Sequence, residues 1–309
     1  MFPVAEWWRR MVVAAVALLV FDAQRPLAAQ ELDPRSYAAT PVGVRFVLSA
    51  LGYSSGAVLV DPTAPISDVR ATIYSVAVGL GGTFALLGRW ASIAVIVPYG
   101  WMEASGNIEE TRQSVDRSGL TDMRLRLAMN IVGGDALTPQ EFAKRPPATV
   151  VGASLAIAIP TGQYYADKLV NLGTNRWAFK PEMGVSYPRG PWTFEFYAGG
   201  WFFTQNSNFF GGRTKEQRPL LSLQSHVAYT FAPRLWLAGN ATFYRGGRNV
   251  IDDAPSSVQQ ENSRVGLTLS VPVLRASALK LAWSTGAIQR LGGDFTTYTI
   301  AWQTSFMRR

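Results

Sequence analysis

The sequence predicts an all-β fold, a single-domain transmembrane antiparallel β-barrel of about 12 strands that follows a signal peptide. Three observations carry this prediction. After residue 40, apolar side chains alternate with small or polar ones through most of the chain. Only 16% of the 309 residues are charged while 48% are apolar, a poor composition for a water-exposed surface. Beyond the N-terminus no apolar run reaches the ~18 residues that a spanning helix needs, so the apolar surface is spread over strands.

The first element is an export signal. Arg9 and Arg10 precede the apolar run Met11–Phe21, and the small residues Ala28 and Ala29 precede Gln30. A basic start, a short apolar centre and a small-residue cleavage point make residues 1–29 a signal peptide and leave 30–309 as the barrel. An 11-residue apolar run is short for a membrane anchor across ~30 Å of hydrocarbon. Removing the peptide takes three basic groups (Arg9, Arg10, Arg25) and two acidic ones (Glu6, Asp22), and leaves a net charge of +7. Residues 30–41 are too few for a folded plug, which favours an open or side-chain-filled lumen.

Strands are expected near 42–53, 69–80, 90–99, 121–132, 149–160, 176–187, 192–204, 219–231, 235–245, 262–273, 279–287 and 295–306. In 121–132, Met123, Leu125, Leu127, Met129 and Ile131 oppose Arg124, Arg126, Ala128 and Asn130. In 176–187, Trp177, Phe179, Met183, Val185 and Tyr187 oppose Arg176, Lys180, Glu182, Gly184 and Ser186. Trp192, Phe194 and Phe196 oppose Thr193, Glu195 and Tyr197; Leu221, Leu223, Val227 and Tyr229 oppose Ser222, Gln224 and His226. Val265, Leu267 and Leu269 oppose Arg264, Gly266 and Thr268. Side chains on a strand alternate between faces, so one face of each segment suits lipid and the other a lumen.

Connections alternate in length. Gly100–Leu120, Thr161–Asn175, Gln205–Arg218 and Gly246–Glu261 are long and polar; Gly81–Arg89, Pro188–Pro191, Ala232–Arg234 and Leu274–Ala278 are short. Long outer loops, short periplasmic turns and an even strand count are barrel features. Gly133–Ala148 is long on the short side, and Thr138–Lys144 is expected to form a helical turn there. Gly79, Gly81 and Gly82 read as a tight turn, with no Lys-Ser/Thr to make a phosphate loop. Trp90, Tyr99, Tyr187, Trp192, Trp236 and Tyr244 fall at strand ends and are expected in aromatic girdles. Tyr298, Ile300, Trp302 and Phe306 share a face near the C-terminus, as in strands read by the barrel-assembly machinery.

Parity directs Arg45, Arg124, Arg126, Arg176, Lys180, Glu182, Glu195, Gln224, His226, Asn240, Arg264 and Lys280 into the lumen. A lipid-facing Arg or Lys at mid-membrane costs about 2–4 kcal/mol, which explains their shared placement. These basic groups outnumber the acids and can either attract anionic solutes or pair across a narrow, filled barrel. Tyr164, Tyr165, Lys168, Asn171, Asn175, Phe209, Phe210 and Arg213 combine aromatic, amide and charged groups in two outer loops, a candidate binding site at the mouth. Glu109-Glu110 and Asp252-Asp253 read as solvated loop charge rather than cation sites. The sequon Asn240-Ala241-Thr242 sits mid-strand and carries no meaning as a glycosylation site.

With 0 Cys and 1 His, thiol chemistry, disulfides and His-rich metal sites are excluded, and neither cofactor nor catalytic residue is expected. A hydrolase built on His226 with Ser222 or Ser225 would need its nucleophile, base and orienting group together at the lipid surface. His226 faces inward instead and reads as polar filler. Nothing resembles a nucleic-acid module.

From Pro160 onward the chain resembles the family named for the meta-pathway of phenol degradation, commonly labelled outer-membrane transporters. The residues that carry the likeness are Pro160-Thr161-Gly162-Gln163-Tyr164, the stretch from Lys168 through Asn171 to Trp177, and Phe179-Lys180-Pro181-Glu182. Further matches are Phe210–Thr214, Gln217–Leu220, Gln224–Val227 and Tyr244–Gly247, with Leu32–Tyr37 and Thr40–Gly43 at the N-terminus. The resemblance implies a barrel in the bacterial outer membrane that moves small organic compounds. The expected function is therefore passive passage of small, hydrophobic or aromatic molecules, with membrane lipid, an unidentified solute and the assembly machinery as partners. The competing expectation is a structural or adhesive barrel with a closed lumen and partner-binding loops.

Overall fold

The structure is a computed structural model and describes residues 33–38, 40–59, 66–108, 111–256 and 258–307. Residues 1–29, expected to form a signal peptide, and Glu109-Glu110 lie outside the described residues.

Strands β1 (Val44–Leu59), β2 (Ile66–Leu86) and β3 (Arg89–Ile108) open the chain, and β4 (Thr111–Leu120) and β5 (Met123–Val132) both pair with β3. Helix α1 (Pro139–Lys144) precedes β6 (Val150–Ile159), β7 (Ala178–Arg189) and β8 (Trp192–Phe203). The short strands β9 (Asn206–Phe209) and β10 (Arg213–Gln217) interrupt the route to β11 (Leu220–Ala232) and β12 (Leu235–Gly246). Then come β13 (Asn249–Ile251) and β14 (Ala254–Pro255), followed by β15 (Gln260–Leu274), β16 (Ser277–Ile288) and β17 (Gly292–Met307). The antiparallel ring runs β1-β2-β3-β5-β6-β7-β8-β11-β12-β15-β16-β17, and β17 pairs back onto β1. It is a closed barrel of 12 strands, so every wall strand has two neighbours and no free edge remains at mid-height.

Each expected strand is present, and the alternation sets its facing. Leu51, Val78, Leu80, Met183, Phe196, Leu267 and Ile300 are exposed on the outer surface. In water such a continuous apolar band would be an association hazard; in a bilayer it is the lipid contact. Tyr53 packs against Tyr74 and Tyr298 towards the loop end, and Trp192 against Tyr229 towards the turn end, two aromatic belts. Trp90, Trp236 and Tyr244 depart from that expectation. They are buried on the inner face, because each shares parity with the inward side chains of its strand: Trp236 and Tyr244 fall in phase with Asn240.

Both termini of the barrel lie at the end with short turns. There Leu87-Gly88, both at positive φ, make the two-residue hairpin between β2 and β3. The glycines expected to form a turn lie inside β2 instead. A Cβ on Gly81 would overlap the Phe46 ring and press within 2.6 Å of the Ile93 carbonyl, so glycine serves close packing there. The expected helical turn is α1, capped by Thr138 in a reciprocal box with Glu141.

Three expected outer loops are more ordered than loops. Thr111–Leu120 forms β4, which extends the β3 hairpin beyond the barrel wall. The segments 205–218 and 246–261 contribute β9, β10, β13 and β14, a small four-stranded sheet at the mouth. Asp252 and Asp253, both at positive φ, form its β13–β14 hairpin turn.

Candidate functional site

The barrel interior has two unlike halves. On β7, β8, β11, β12 and β15 the inward residues are large and polar, and cross-strand register sets them side by side. Glu195 stands opposite His226 and His226 opposite Asn240; Tyr197, Gln224, Thr242 and Arg264 form the adjoining row. Lys180 Nζ is 2.7 Å from Glu182 Oε2, and Gln224 Nε2 donates to the same oxygen at 3.0 Å. His226 Nδ1 lies 2.8 Å from Asn240 Oδ1, and Asn240 Nδ2 donates to Thr268 Oγ1 at 3.0 Å. Arg264 donates to Ser284 Oγ and to the Phe295 carbonyl, and Arg176 donates to Gln217 while lying over the Phe203 ring. All these polar side chains are buried, and burial of charge is tolerable only with such partners.

The other half, on β1, β2, β3, β16 and β17, is thin. Ala50, Gly52, Ser75, Ala77, Thr297, Thr299 and Ala301 face inward and are only partly covered. Small side chains leave space along this wall; Arg124 and Arg126 on the adjoining β5 flank it and Lys280 on β16, opposite Ala301, stands within it, all three partly covered. Ser222 is buried on the inner face whereas Ser225 is exposed outside, and the His226 ring meets Tyr197 at 5.0 Å.

Of the residues parity sent inward, Arg45 is the exception. It pairs with Phe306, exposed on the outer surface, and shares parity with Val47, Leu51 and Tyr53. Both faces of β1 are apolar, so alternation could not decide its facing. Arg45 sits at the second residue of the strand, where its long side chain can reach the membrane interface at little cost.

Each end of the interior is obstructed. At the turn end, residues 33–38 bend into the barrel: the segment is too short for a folded plug, yet it adds its own side chains to those that fill the lumen. Three successive residues, Arg35, Ser36 and Tyr37, reach partners on the wall. Arg35 N donates to Glu195 Oε2 at 2.6 Å, its guanidinium donates to Thr230 Oγ1 and lies over Trp236, and Ser36 N donates to Tyr197 Oη at 3.2 Å. Tyr37, fully buried, reaches Glu182 Oε1 at 3.1 Å and Ser154 Oγ at 3.0 Å.

At the loop end the segment between β6 and β7 crosses the mouth. Asp122, in the break between β4 and β5, accepts from Gly162 N, Thr174 N and Thr174 Oγ1 and pins both ends of that segment. Asn171 accepts from Tyr165 N and donates to the Tyr165 and Lys168 carbonyls, closing its centre. Leu169, Val170 and Leu172 then pack on Val58, Ile73, Met102 and Phe295 of the opposite wall. Tyr164 accepts from Asn206 and donates to the Asn208 carbonyl, Asn175 donates to Asn206, and burial raises the Tyr164 phenol above its ordinary pKa. Phe209 is buried with Phe210 against Ile251 and Leu169, and Arg213 Nε lies 3.8 Å from Asp252. Tyr165 and Lys168 remain exposed. The candidate mouth residues are therefore brought together, chiefly to one another.

Sequence reasoning missed Arg35, Tyr37, Asp122, Thr174 and the Leu169–Leu172 cluster as organisers of the two ends. The available signal was the non-alternating runs 32–37 and 168–175, which no strand required and which belong to the stretches carrying the family likeness.

Similarity to known proteins fits this architecture. A solved outer membrane channel from Pseudomonas putida F1, of the COG4313 group, superposes with a TM-score of 0.76 over 89% of this chain and 100% of its own, at 21% identity. The β-domain of the Bordetella autotransporter BrkA superposes with a TM-score of 0.52 over 86% of this chain and 100% of its own, at 13% identity. No curated protein sequence matches. Residues 66–293, from β2 to the start of β17, match the family described as "Putative MetA-pathway of phenol degradation", and the chain belongs to that family.

Proposed function

We propose that the protein is a bacterial outer-membrane barrel for passive passage of small hydrophobic or aromatic compounds, with no chemical step. The observation that carries this reading is the apolar closure of the mouth. Leu169, Val170 and Leu172 from a single loop segment cover the thin half of the lumen, which itself is lined by small residues. An apolar solute can replace those contacts at little cost, whereas a hydrated ion cannot. The related channel from Pseudomonas putida supports the same reading. Residues 1–29 act as the export signal, and the outward Tyr298, Ile300, Trp302 and Phe306 of β17 serve assembly into the membrane. Uptake of aromatic solutes into liposomes bearing the purified protein tests the proposal. Absence of flux for every solute, in wild type and in Leu169→Ala/Leu172→Ala alike, would overturn it.

The packed polar half and the inserted N-terminal segment favour a second reading, a closed barrel whose loops bind a partner. Deleting residues 205–218 would then abolish partner binding and leave permeability unchanged.

A further inference from the structure

Tyr37 occupies a slot shaped for its ring. Gly152 on β6 and Gly184 on β7 are cross-strand partners, and a Cβ on either would overlap that ring. The Tyr197 ring meets it edge-on at 5.0 Å and 75°, and the Arg126 guanidinium lies 5.4 Å over it. The phenolic oxygen is held by Glu182 and Ser154. A ring floor of two glycines, an edge-on aromatic wall, a cation over the face and an acceptor for one hydroxyl are what recognition of a free phenol requires. Beside it lies Asn130, wholly buried, with neither side-chain amide atom partnered. Its Oδ1 is 2.9 Å from where a Cβ on Gly152 would stand, so a second polar ring substituent would find a partner that Tyr37 cannot use.

We propose that this slot is a binding site for small phenols, which the chain's own N-terminal segment fills in this structure. The proposal deepens the passage reading and rests on it for its role in flux, although binding itself does not depend on flux. A phenol that takes the slot displaces Tyr37, and with it the hydrogen bonds of Arg35 and Ser36 that hold the segment across the turn end. The permeant would thereby open its own exit.

The test uses the full-length protein in detergent and p-cresol, the tyrosine side-chain analogue. Tyr37→Ala should bind p-cresol saturably, and bind toluene, which lacks the hydroxyl, roughly tenfold more weakly. Tyr37→Ala/Gly152→Ala, whose added methyl stands in the ring's place, should lose the site. A Tyr37→Ala protein that keeps its heat-modifiable barrel yet binds p-cresol no better than the double variant overturns the proposal. Should Tyr37→Ala fail to fold, the otherwise wild-type chain serves. It has 0 Cys, so a spin label on Asp33→Cys is unique. p-Cresol but not toluene should mobilise that label, and equal mobility with both or neither overturns the proposal. Liposome flux is scored separately: p-cresol binding without flux retains the site and sinks only the passage reading.

Discussion

At the residue scale, Glu182 gathers three partners in the interior. Lys180 at 2.7 Å, Gln224 at 3.0 Å and Tyr37 at 3.1 Å all converge on its carboxylate. Removing one partner of a buried pair leaves an uncompensated charge and costs about 3–5 kcal/mol, whereas replacing both by apolar residues is often nearly neutral. Glu182→Ala should therefore destabilise the barrel by about that amount in reversible urea unfolding in lipid vesicles. Lys180→Met/Glu182→Met should recover most of the loss, and additive losses would show that the pair is not coupled. Arg45 and Arg126 give the contrasting case. Arg45 stands on the outer surface at the turn end, so Arg45→Ala should leave ion selectivity unchanged. Arg126 borders the partly open half, so Arg126→Glu should move the reversal potential of a planar-bilayer current towards cations. Alternation alone assigned both to the lumen. It succeeded at Arg126, where Leu127 and Met129 mark the lipid side, and failed at Arg45, where Phe46 and Val47 are both apolar.

At the element scale, the loop between β6 and β7 depends on Asn171, whose side chain makes three hydrogen bonds within it. Asn171→Ala should expose residues 160–177 to protease and raise channel conductance, while the barrel keeps its unfolding transition. Helix α1 supplies a pH-dependent element outside the membrane. The Thr138 backbone N–H holds the Glu141 carboxyl below its ordinary pKa. A lowered folded value means that the stabilisation is present above the unfolded pKa, near 4.3, and is lost as pH falls through the folded one. Amide exchange in α1, corrected for intrinsic rate, should accelerate relative to β6 as pH drops through that window. Legibility of elements followed the same physics. Strands that cross the bilayer must alternate, and all were readable. β4 was not, because Thr111–Leu120 is polar on both faces and is exposed along most of its length, so pairing with β3 rather than a buried face makes it a strand. The mouth sheet escaped notice because its strands, of two to five residues, are too short for a period to show.

At the scale of the whole molecule, the two halves of the ring are unequal, and the proposed passage rests on that difference. A barrel of this circumference can be filled by long side chains, and β7 to β15 are filled in that way. Between the apolar cluster under the mouth and Phe46 and Trp90 near the turn end, β1, β2 and β17 are not, because Ala50, Gly52, Ser75, Ala77, Thr299 and Ala301 are too short to fill it. A solute path, if it follows the thin half, runs from the apolar closure at Leu169 and Leu172 past Ala77 and Ala50 to the inserted N-terminal segment. Enlarging a thin-half residue should then narrow the path, whereas trimming the packed half should not widen it. Ala77→Trp should lower liposome uptake of aromatic solutes severalfold with the heat-modifiable barrel intact. Thr242→Ala, in the packed half, should leave uptake as it was. If both variants transport like wild type, solutes do not travel along the thin half. If Thr242→Ala alone alters uptake, the polar wall and not the small-residue wall is the conduit, and the rings of Tyr197 and Tyr37 would lie directly across it.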